Sequence, residues 1–380
     1  MKRIGLMILA IGLFLFAPAA QADWTPAKRL TWASGNSFNP DIAVDPSGNI
    51  HVVWYGETQG QYAVYYKKSS DGGTSWTSAK KLTPTSGFCP AIAIDPSGNL
   101  HVVWQGGTIV NYEIYYGKST DGGATWTSGK RLTWNSGWSQ EPVIAADSSG
   151  HLHVVWRDET PGNSEIYYKK STDGGATWMS SQRLTSTPGY SEYADIAVDA
   201  SGNPHVVWDD DTPGNTEIYY KKSKDGGGTW TSIKRLTSTS GWPGDPEIVA
   251  DSFGRLYVVF HYDKPGNDEI YYKKSADGGG TWSPNLRLTW NSGTSWAPAM
   301  AIDPSDFLHI VWYDDTPGND EVYYLNSADG GATWSSSQRL TWNSGWSRQP
   351  AIAASSYSDL HVVWYDKTTG NCEIFYKKRD

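Results

Sequence analysis

A short apolar run, His51-Val52-Val53-Trp54, returns in closely related form at His101, His153, His205, Tyr257, His309 and His361, first after 50 residues and then every 52. Each run is β-branched and aromatic and is fenced by Gly, Pro, Asn and Asp, the punctuation of a buried strand between tight turns. The unit beginning at Pro142 shows the whole pattern. Apolar strands are predicted at Pro142–Asp147 and Leu152–Arg157, joined by Ser148-Ser149-Gly150. A Thr160-Pro161-Gly162-Asn163 turn leads to a third strand, Glu165–Lys170, and a fourth is predicted over Thr177–Thr185. No segment sustains a 3.6-residue period, so helix is expected to be negligible. Repeats of this length, four strands each, are the signature of propeller blades.

Between the third and fourth strands lies an eight-residue motif that occurs six times: Ser69–Trp76, Ser119–Trp126, Ser171–Trp178, Ser223–Trp230, Ser275–Trp282 and Ser327–Trp334. It follows the Asp-box pattern S-x-D-x-G-x-T-W, with Ser75 in place of Thr once. Its Asp-Gly-Gly centre suits a hairpin that needs positive φ. Repeated in register, it resembles the bacterial-neuraminidase repeat of sialidase-like β-propellers.

Seven Val-Val-Trp-type strands stand against six Asp boxes, because the last repeat stops at Lys377-Lys378-Arg379-Asp380. The segment Asp23–Thr31 matches the strand that follows each Asp box; compare Lys28-Arg29-Leu30-Thr31 with Lys130-Arg131-Leu132-Thr133. The prediction is an all-β, seven-bladed propeller of four-stranded antiparallel blades, closed by the N-terminal strand completing the last blade, which seals open sheet edges.

Residues 1–22 read as a secretory leader: Lys2 and Arg3, an apolar run from Ile4 to Phe16, then Ala20-Gln21-Ala22 as cleavage site. Residues 23–380 are then one propeller domain, expected to be secreted or periplasmic, with no membrane span. The formal charge is −9 and becomes more negative once Lys2 and Arg3 are removed, which argues against nucleic acid as a partner. The only cysteines, Cys89 and Cys372, belong to non-adjacent repeats, so free thiols are expected rather than a disulfide framework.

The chain holds 21 Trp and 23 Tyr against 8 Phe, a composition that suits either half-wet strands or sugar-stacking surfaces. Strand alternation puts the Asp boxes and the Asp45–Asn49-type turns on one face. The Trp-Asn-Ser-Gly-Trp linkers and Asp-x-Thr-Pro-Gly-Asn turns lie on the other, and the family resemblance implies that ligand binds on that second face. Its linkers carry Trp32, Phe38, Trp134, Trp138, Tyr190, Tyr193, Trp242, Trp290, Trp296, Trp342 and Trp346. Its turns carry Asp158, Glu159, Asp209, Asp210, Asp211, Asp263, Asp314, Asp315 and Asp366. Trp138, Trp242, Trp296, Trp346, Asp158, Asp210, Asp315 and Asp366 are the candidate sugar contacts, since rings stack on sugar CH faces and carboxylates accept hydroxyl hydrogen bonds. Blade wedging by Trp and turn capping by Asp are the alternative roles. The Asp-box carboxylates Asp71, Asp121, Asp173, Asp225, Asp277 and Asp329 are read as scaffold, bonding their own hairpins.

The resemblance to sialidases implies three arginines on the substrate carboxylate, a Tyr–Glu nucleophile pair and an Asp acid/base. Arg29, Arg131, Arg183, Arg235, Arg287 and Arg339 share one fourth-strand slot and are expected to form outward salt bridges; Arg255 lies in a turn on the Asp-box face. Only Arg157 and Arg348 remain for the ligand face, with Asp158 beside the first and Glu141 and Glu192 nearby. The histidine series, one per blade in fixed register, reads as packing or hydrogen bonding rather than metal ligation. Acidic pairs such as Asp314-Asp315 are read as solvated turns rather than calcium sites. No metal and no cofactor is expected. The repeat breaks at Gln105-Gly106-Gly107 and His261-Tyr262, which with Arg157 and Arg348 mark where an asymmetric site would be sought. The preferred reading is a non-catalytic binder of carbohydrate or another extracellular ligand. A sialidase-like exo-glycoside hydrolase and a protein-interaction platform are the alternatives.

Overall fold

The computed structural model describes residues 23–108, 110–263 and 266–380; the predicted leader, residues 1–22, lies outside them. Among the described residues there are seven four-stranded antiparallel sheets and no helix, the predicted seven-bladed propeller. No helix is long and apolar enough to cross a membrane.

The third blade runs from the axis outward through Ser139–Ala146, Leu152–Asp158, Glu165–Ser171 and Gln182–Arg183. The seventh takes Ser347–Ala354, Leu360–Thr369 and Asn371–Arg379, and its outermost strand is Lys28–Arg29, with Lys28 opposite Tyr376 and Arg29 opposite Phe375. Closure is thus by the N-terminal strand, as the count of repeats predicts.

Two details depart from the sequence reading. The fourth strand is paired over only two residues, Gln182–Arg183 in the third blade. On the rim it has a neighbour on one side only, and Arg183 turns back to donate to Glu165 Oε1 at 2.7 Å and to the Thr185 carbonyl. The first strand starts earlier than predicted, at Ser139, because a bulge before Pro142 shifts its register. In all seven blades the bulged residue (Asn39, Cys89, Glu141, Tyr193, Asp245, Ala297 or Gln349) has φ between 45° and 52°. A non-glycine residue in this region costs roughly 1 kcal/mol or more, so the inner wall carries a ring of seven strained positions.

Blades hold one another through cores between adjacent sheets. Val155, Ile166 and Tyr168 of the third pack on Ile196, Val206 and Trp208 of the fourth. On the Asp-box face a second device links them. Asp45 faces His51 Nε2 at 3.3 Å, His51 Nδ1 faces the Tyr66 hydroxyl at 2.8 Å, and Tyr66 donates to the Gly122 carbonyl in the next Asp box. This places the histidine series in hydrogen-bonded, buried positions. In the fifth blade Tyr257 replaces histidine and donates directly to Asp251 at 2.8 Å.

Within an Asp box, Asp121 accepts from Thr125 N at 2.8 Å, from Thr125 Oγ1 at 2.6 Å and from Ser119 Oγ at 2.8 Å. These donors favour the carboxylate and hold it down at about 2. The rim arginines pair as expected, for instance Arg287 with Glu269 at 2.6 Å and Arg29 with Glu373 at 2.7 Å. Cys89 and Cys372 are free thiols, and burial pushes the Cys89 thiol up to about 12.

Candidate functional site

The strand registers fix the two faces. Val44 pairs with Ile50, and Ile50 with Ser69 at the Asp box, whereas Ser37 pairs with Gly56 at the other end. The axial channel, a cavity of about 660 Å³, is lined by the first strands of all seven blades around Asn39–Asp41, Glu141–Val143 and Asp245–Glu247.

At the mouth opposite the Asp boxes, the residue after the second-strand Trp (Phe260 in the fifth blade) and its cross-strand partner come together in each blade. The pairs are Phe38 with Tyr55, Phe88 with Gln105, Gln140 with Arg157, Glu192 with Asp209, Gly244 with His261, Trp296 with Tyr313 and Arg348 with Tyr365. Strand geometry makes these positions equivalent; their chemistry differs at every blade. The rest of the fold repeats while this ring does not.

Half the ring is aromatic. Phe38 lies 5.3 Å from Tyr365 and 5.6 Å from Tyr55, Tyr55 lies 5.6 Å from Phe88, and Tyr112 lies 5.8 Å from Phe88 and 5.9 Å from Trp138, centroid to centroid. Trp296 and Tyr313 extend this arc at 6.2 Å. Edge-to-face contacts of this kind hold ring faces at fixed angles.

The other half, in blades three to five, is ionic. Arg157 faces Glu141 at 3.1 Å, Glu192 at 2.9 Å and Glu159 at 3.4 Å. Gln105 accepts from the Glu141 backbone N–H at 3.0 Å. His261 Nδ1 lies 3.5 Å from Asp245. Burial raises the Glu141 and Asp245 carboxyls, opposed by Arg157 and His261 respectively. Asp209 stands well above the usual carboxylate range, chiefly through burial and then through Asp245, Glu192 and Glu141. Deeper in the channel, burial lifts Asp41 and Asp195 to about 6 and Glu247 well above its ordinary value. Each accepts a backbone N–H from the next blade: Ile92, Ile248 and Met300, at 2.8, 2.8 and 2.9 Å.

Arg157, His261 and Gln105, marked by breaks in the repeat, therefore converge on one mouth. Arg348 is there too, but its guanidinium binds Asp320 and lies 4.6 Å over Trp346 and 5.8 Å over Tyr313. Trp138 joins the aromatic arc, and Trp296 borders both halves, 6.3 Å from His261, its indole donating to Asp268 at 2.6 Å. Trp242 is half-exposed, its backbone N–H donating to Asp263. Trp32, Trp134, Trp290 and Trp342 sit instead over rim cations such as Arg29 and Arg131, 5.6 to 5.8 Å away.

The turn acids sit apart from the mouth chemistry. Asp158 is fully buried and accepts from Asn135, Ser139, Trp156 and Thr160. Asp210, also buried, accepts from Thr187, Ser191 and Thr212, and Asp366 from Asn343, Ser347 and Thr368, while Asp315 caps the Thr294 backbone at 2.6 Å. Sequence reasoning did not single out Asp209, Asp245, Tyr55, Phe88, Tyr112, Tyr313 or Tyr365 as contacts. The signal for Asp209 was the variable column after the second-strand Trp, which reads Tyr, Gln, Arg, Asp, His, Tyr and Tyr from the first blade to the seventh, and for Asp245 it was the bulge column, which changes in every blade.

Similar solved structures share the fold at low identity. The NanB sialidase of Streptococcus pneumoniae is 13% identical, with 93% of this chain and 70% of that chain covered and a TM-score of 0.53. An α-L-arabinofuranosidase of Fusarium graminearum is 14% identical (77% and 92% covered, TM-score 0.57). An ulvan lyase is 14% identical (92% and 95% covered, TM-score 0.66). No match is found among curated proteins. The sequence model described as a BNR repeat-like domain matches residues 14–258, well over half of the chain. On that match, which covers more than half of its length, the chain belongs to the BNR repeat-like domain family.

Proposed function

We propose that this propeller, once exported, binds carbohydrate without turnover at the mouth opposite the Asp boxes. One observation carries the reading: an arc of aromatic rings from Trp296 round to Trp138 faces an arc of carboxyls across the axis. Ring faces take the CH faces of a sugar while carboxyls take its hydroxyls. The structural neighbours named above are a sialidase, an arabinofuranosidase and a lyase of the polysaccharide ulvan, which supports a carbohydrate ligand. Ligands with a carboxylate are disfavoured. Arg157 is neutralised by three glutamates and Arg348 is paired with Asp320, so neither offers the free guanidinium that sialoside binding needs.

A glycan array with purified protein tests this, followed by titration of the best hit against Tyr55→Ala and Phe88→Ala. Binding weakened about tenfold by either truncation is expected, the loss of a stacked ring being on the order of 1 kcal/mol or more. A silent array, or hits indifferent to both truncations, would remove the proposal. Hydrolysis of a fluorogenic sialoside lost in Arg348→Ala would replace it with the glycosidase reading.

A further inference from the structure

Four blades hold a buried aspartate at the end of the second strand with a serine from the first. Ser139 Oγ donates to Asp158 at 2.8 Å, Ser191 to Asp210 at 2.6 Å, Ser295 to Asp314 at 2.6 Å and Ser347 to Asp366 at 2.9 Å. In the third blade Trp156 Nε1 adds a donor at 3.2 Å, and the Asn135 amide another. The second blade loses serine and aspartate together, Gly87 facing Gly106. The fifth has Pro243, Phe260 and Tyr262 where these blades have Ser, Trp and Asp. The first blade does neither. It keeps Ser37 and Trp54 but sets Gly56 opposite Ser37, with Ala33 at the position of Asn135.

The missing carboxylate leaves its cradle behind. Ser37 is fully buried, and among the described residues its hydroxyl has no hydrogen-bond partner, a costly state for a buried polar group. A Cβ at Gly56 would lie 3.4 Å from Ser37 Oγ and 3.4 Å from Trp54 Nε1. Both groups therefore face the space that an aspartate side chain fills in the sister blades. Around them lies a cavity of about 280 Å³ between the seventh and first blades, bordered also by Trp32, Thr58, Tyr65 and Lys67. Lys67 donates to the Leu30 carbonyl and its ammonium lies 5.3 Å over Trp32; among the described residues no carboxylate pairs with it. Glu57 borders the cavity too, but its side chain reaches its cross-strand partner Tyr62, on the other face of the strand from Gly56. The Thr58 and Tyr65 hydroxyls lie 2.8 Å apart on the cavity wall. A carboxylate alone would leave most of this volume empty, whereas a sugar ring that bears one also meets these hydroxyls.

We propose that the space beside Gly56 is a subsite for the carboxylate of a uronic acid residue, with Ser37 Oγ and Trp54 Nε1 donating to it and Lys67 offsetting its charge. The proposal rests on the carbohydrate-binding reading and extends it to a second position on the same face. A carboxylate disfavoured at the mouth, where Arg157 and Arg348 are already paired, meets donors here. Hydrogen bonds to a charged acceptor are the strong class, and Ser37 gives up no partner to make one.

The test is calorimetric titration at neutral pH with a galacturonic acid trimer and its methyl-esterified counterpart. The acid is expected to bind at least tenfold more tightly than the ester. Gly56→Asp sets the sister-blade carboxylate into the space at ordinary contact distances, so it should fold and abolish the preference for the acid. Ser37→Ala removes a donor without filling the space and should weaken acid binding about tenfold while sparing the ester. The wild-type comparison and Ser37→Ala stand even if Gly56→Asp fails to fold. Equal affinity for acid and ester, or a preference that survives either substitution in folded protein, would overturn the subsite and leave the carbohydrate reading intact. Binding of neither trimer would also overturn it, and a simultaneously silent array would remove the broader reading as well. An aspartate-rich peptide that displaces the acid trimer at equal concentration would assign the space to a protein ligand and overturn the sugar assignment.

Discussion

The backbone of Gly123 lies against the hydroxyl of Tyr66 in the preceding blade, so close that a Cβ built on the glycine would overlap that oxygen. Gly123 has φ of +89°, and Tyr66 is fixed from the other side by Trp126 at 5.1 Å and by His51. The second glycine of the Asp box is therefore a blade-to-blade joint as well as a turn residue. The same contact recurs between Gly73 and Tyr376, across the point where the ring closes.

Gly123→Ala should cost roughly 3 kcal/mol, combining the left-handed backbone penalty with displacement of a tyrosine that cannot move freely. Gly60→Ala isolates the first part, since Gly60 has φ of +77° with nothing within 4 Å of its would-be Cβ; it should cost only about 1 kcal/mol. Urea unfolding of the two variants checks this. Equal losses would show that the Tyr66 contact carries no weight.

The buried histidines set the response to acid. Burial holds His51, His153, His309 and His361 down at about 4, below the ordinary value of about 6.5. A depressed folded-state value means the unfolded chain binds the proton first. The stability is fully present above pH 6.5 and is lost as pH falls toward 4. Tyr257 shows that the fold accepts tyrosine at this position. His51→Tyr should therefore fold and lose up to one proton's worth of slope, about 1.4 kcal/mol per pH unit, from the stability profile in that window. An unchanged slope in denaturant titrations at pH 4.5 to 7 would contradict the assignment.

How far the sequence exposes this molecule follows from what repeats. Val-Val-Trp strands, Asp boxes and the Arg–Glu rim pairs appear in nearly every blade, so one physical reading of one unit serves for all, and the missing seventh box locates closure at Lys28–Arg29. The short outer strands and the bulges at Glu141 and its equivalents were hidden. Both depend on where the sheet ends and how it twists, which composition does not encode. The mouth was half visible. Arg157 and His261 stand out as breaks in a pattern, but Tyr55 and Tyr365 look like ordinary strand residues until cross-strand register sets them beside Phe38. Trp134 and Trp290 misdirect for the opposite reason, since a conspicuous exposed ring serves here to cover an arginine on the rim.

The channel carboxyls oppose the histidines. Glu247 is raised by burial and then by Asp195, with Asp41 and Asp245 adding to it. A raised folded-state value gives stability that is present below about pH 4 and lost as pH rises through the folded value. Glu247→Gln keeps an acceptor for the Met300 N–H and removes the charge. The variant should be more stable than wild type at pH 8, by on the order of 1 kcal/mol, with the gap closing by pH 4. Melting curves across that range decide it, and a gap independent of pH would mean that Glu247 is already neutralised by another route.

Ring closure is testable by comparing two chemically equivalent glutamates. Glu165 is fully buried and takes Arg183 at 2.7 Å, while Glu373 is fully buried and takes Arg29 at 2.7 Å together with Thr31. The difference is covalent context. Arg183 follows Glu165 within one blade, whereas Arg29 belongs to the strand that closes the ring, anchored also by Thr25 N to the Lys378 carbonyl and Leu30 N to the Ile374 carbonyl, at 2.8 and 2.7 Å. Replacing either carboxylate by Gln weakens a charge-assisted pair by roughly 1–3 kcal/mol. Only Glu373→Gln should also free the N-terminal strand, because that strand has no chain connection to the sheet it completes. Hydrogen exchange over residues 24–31 should therefore accelerate in Glu373→Gln and stay at the wild-type rate in Glu165→Gln. Equal protection of that segment in both variants would mean that closure rests on the Leu30 and Trp24 packing alone.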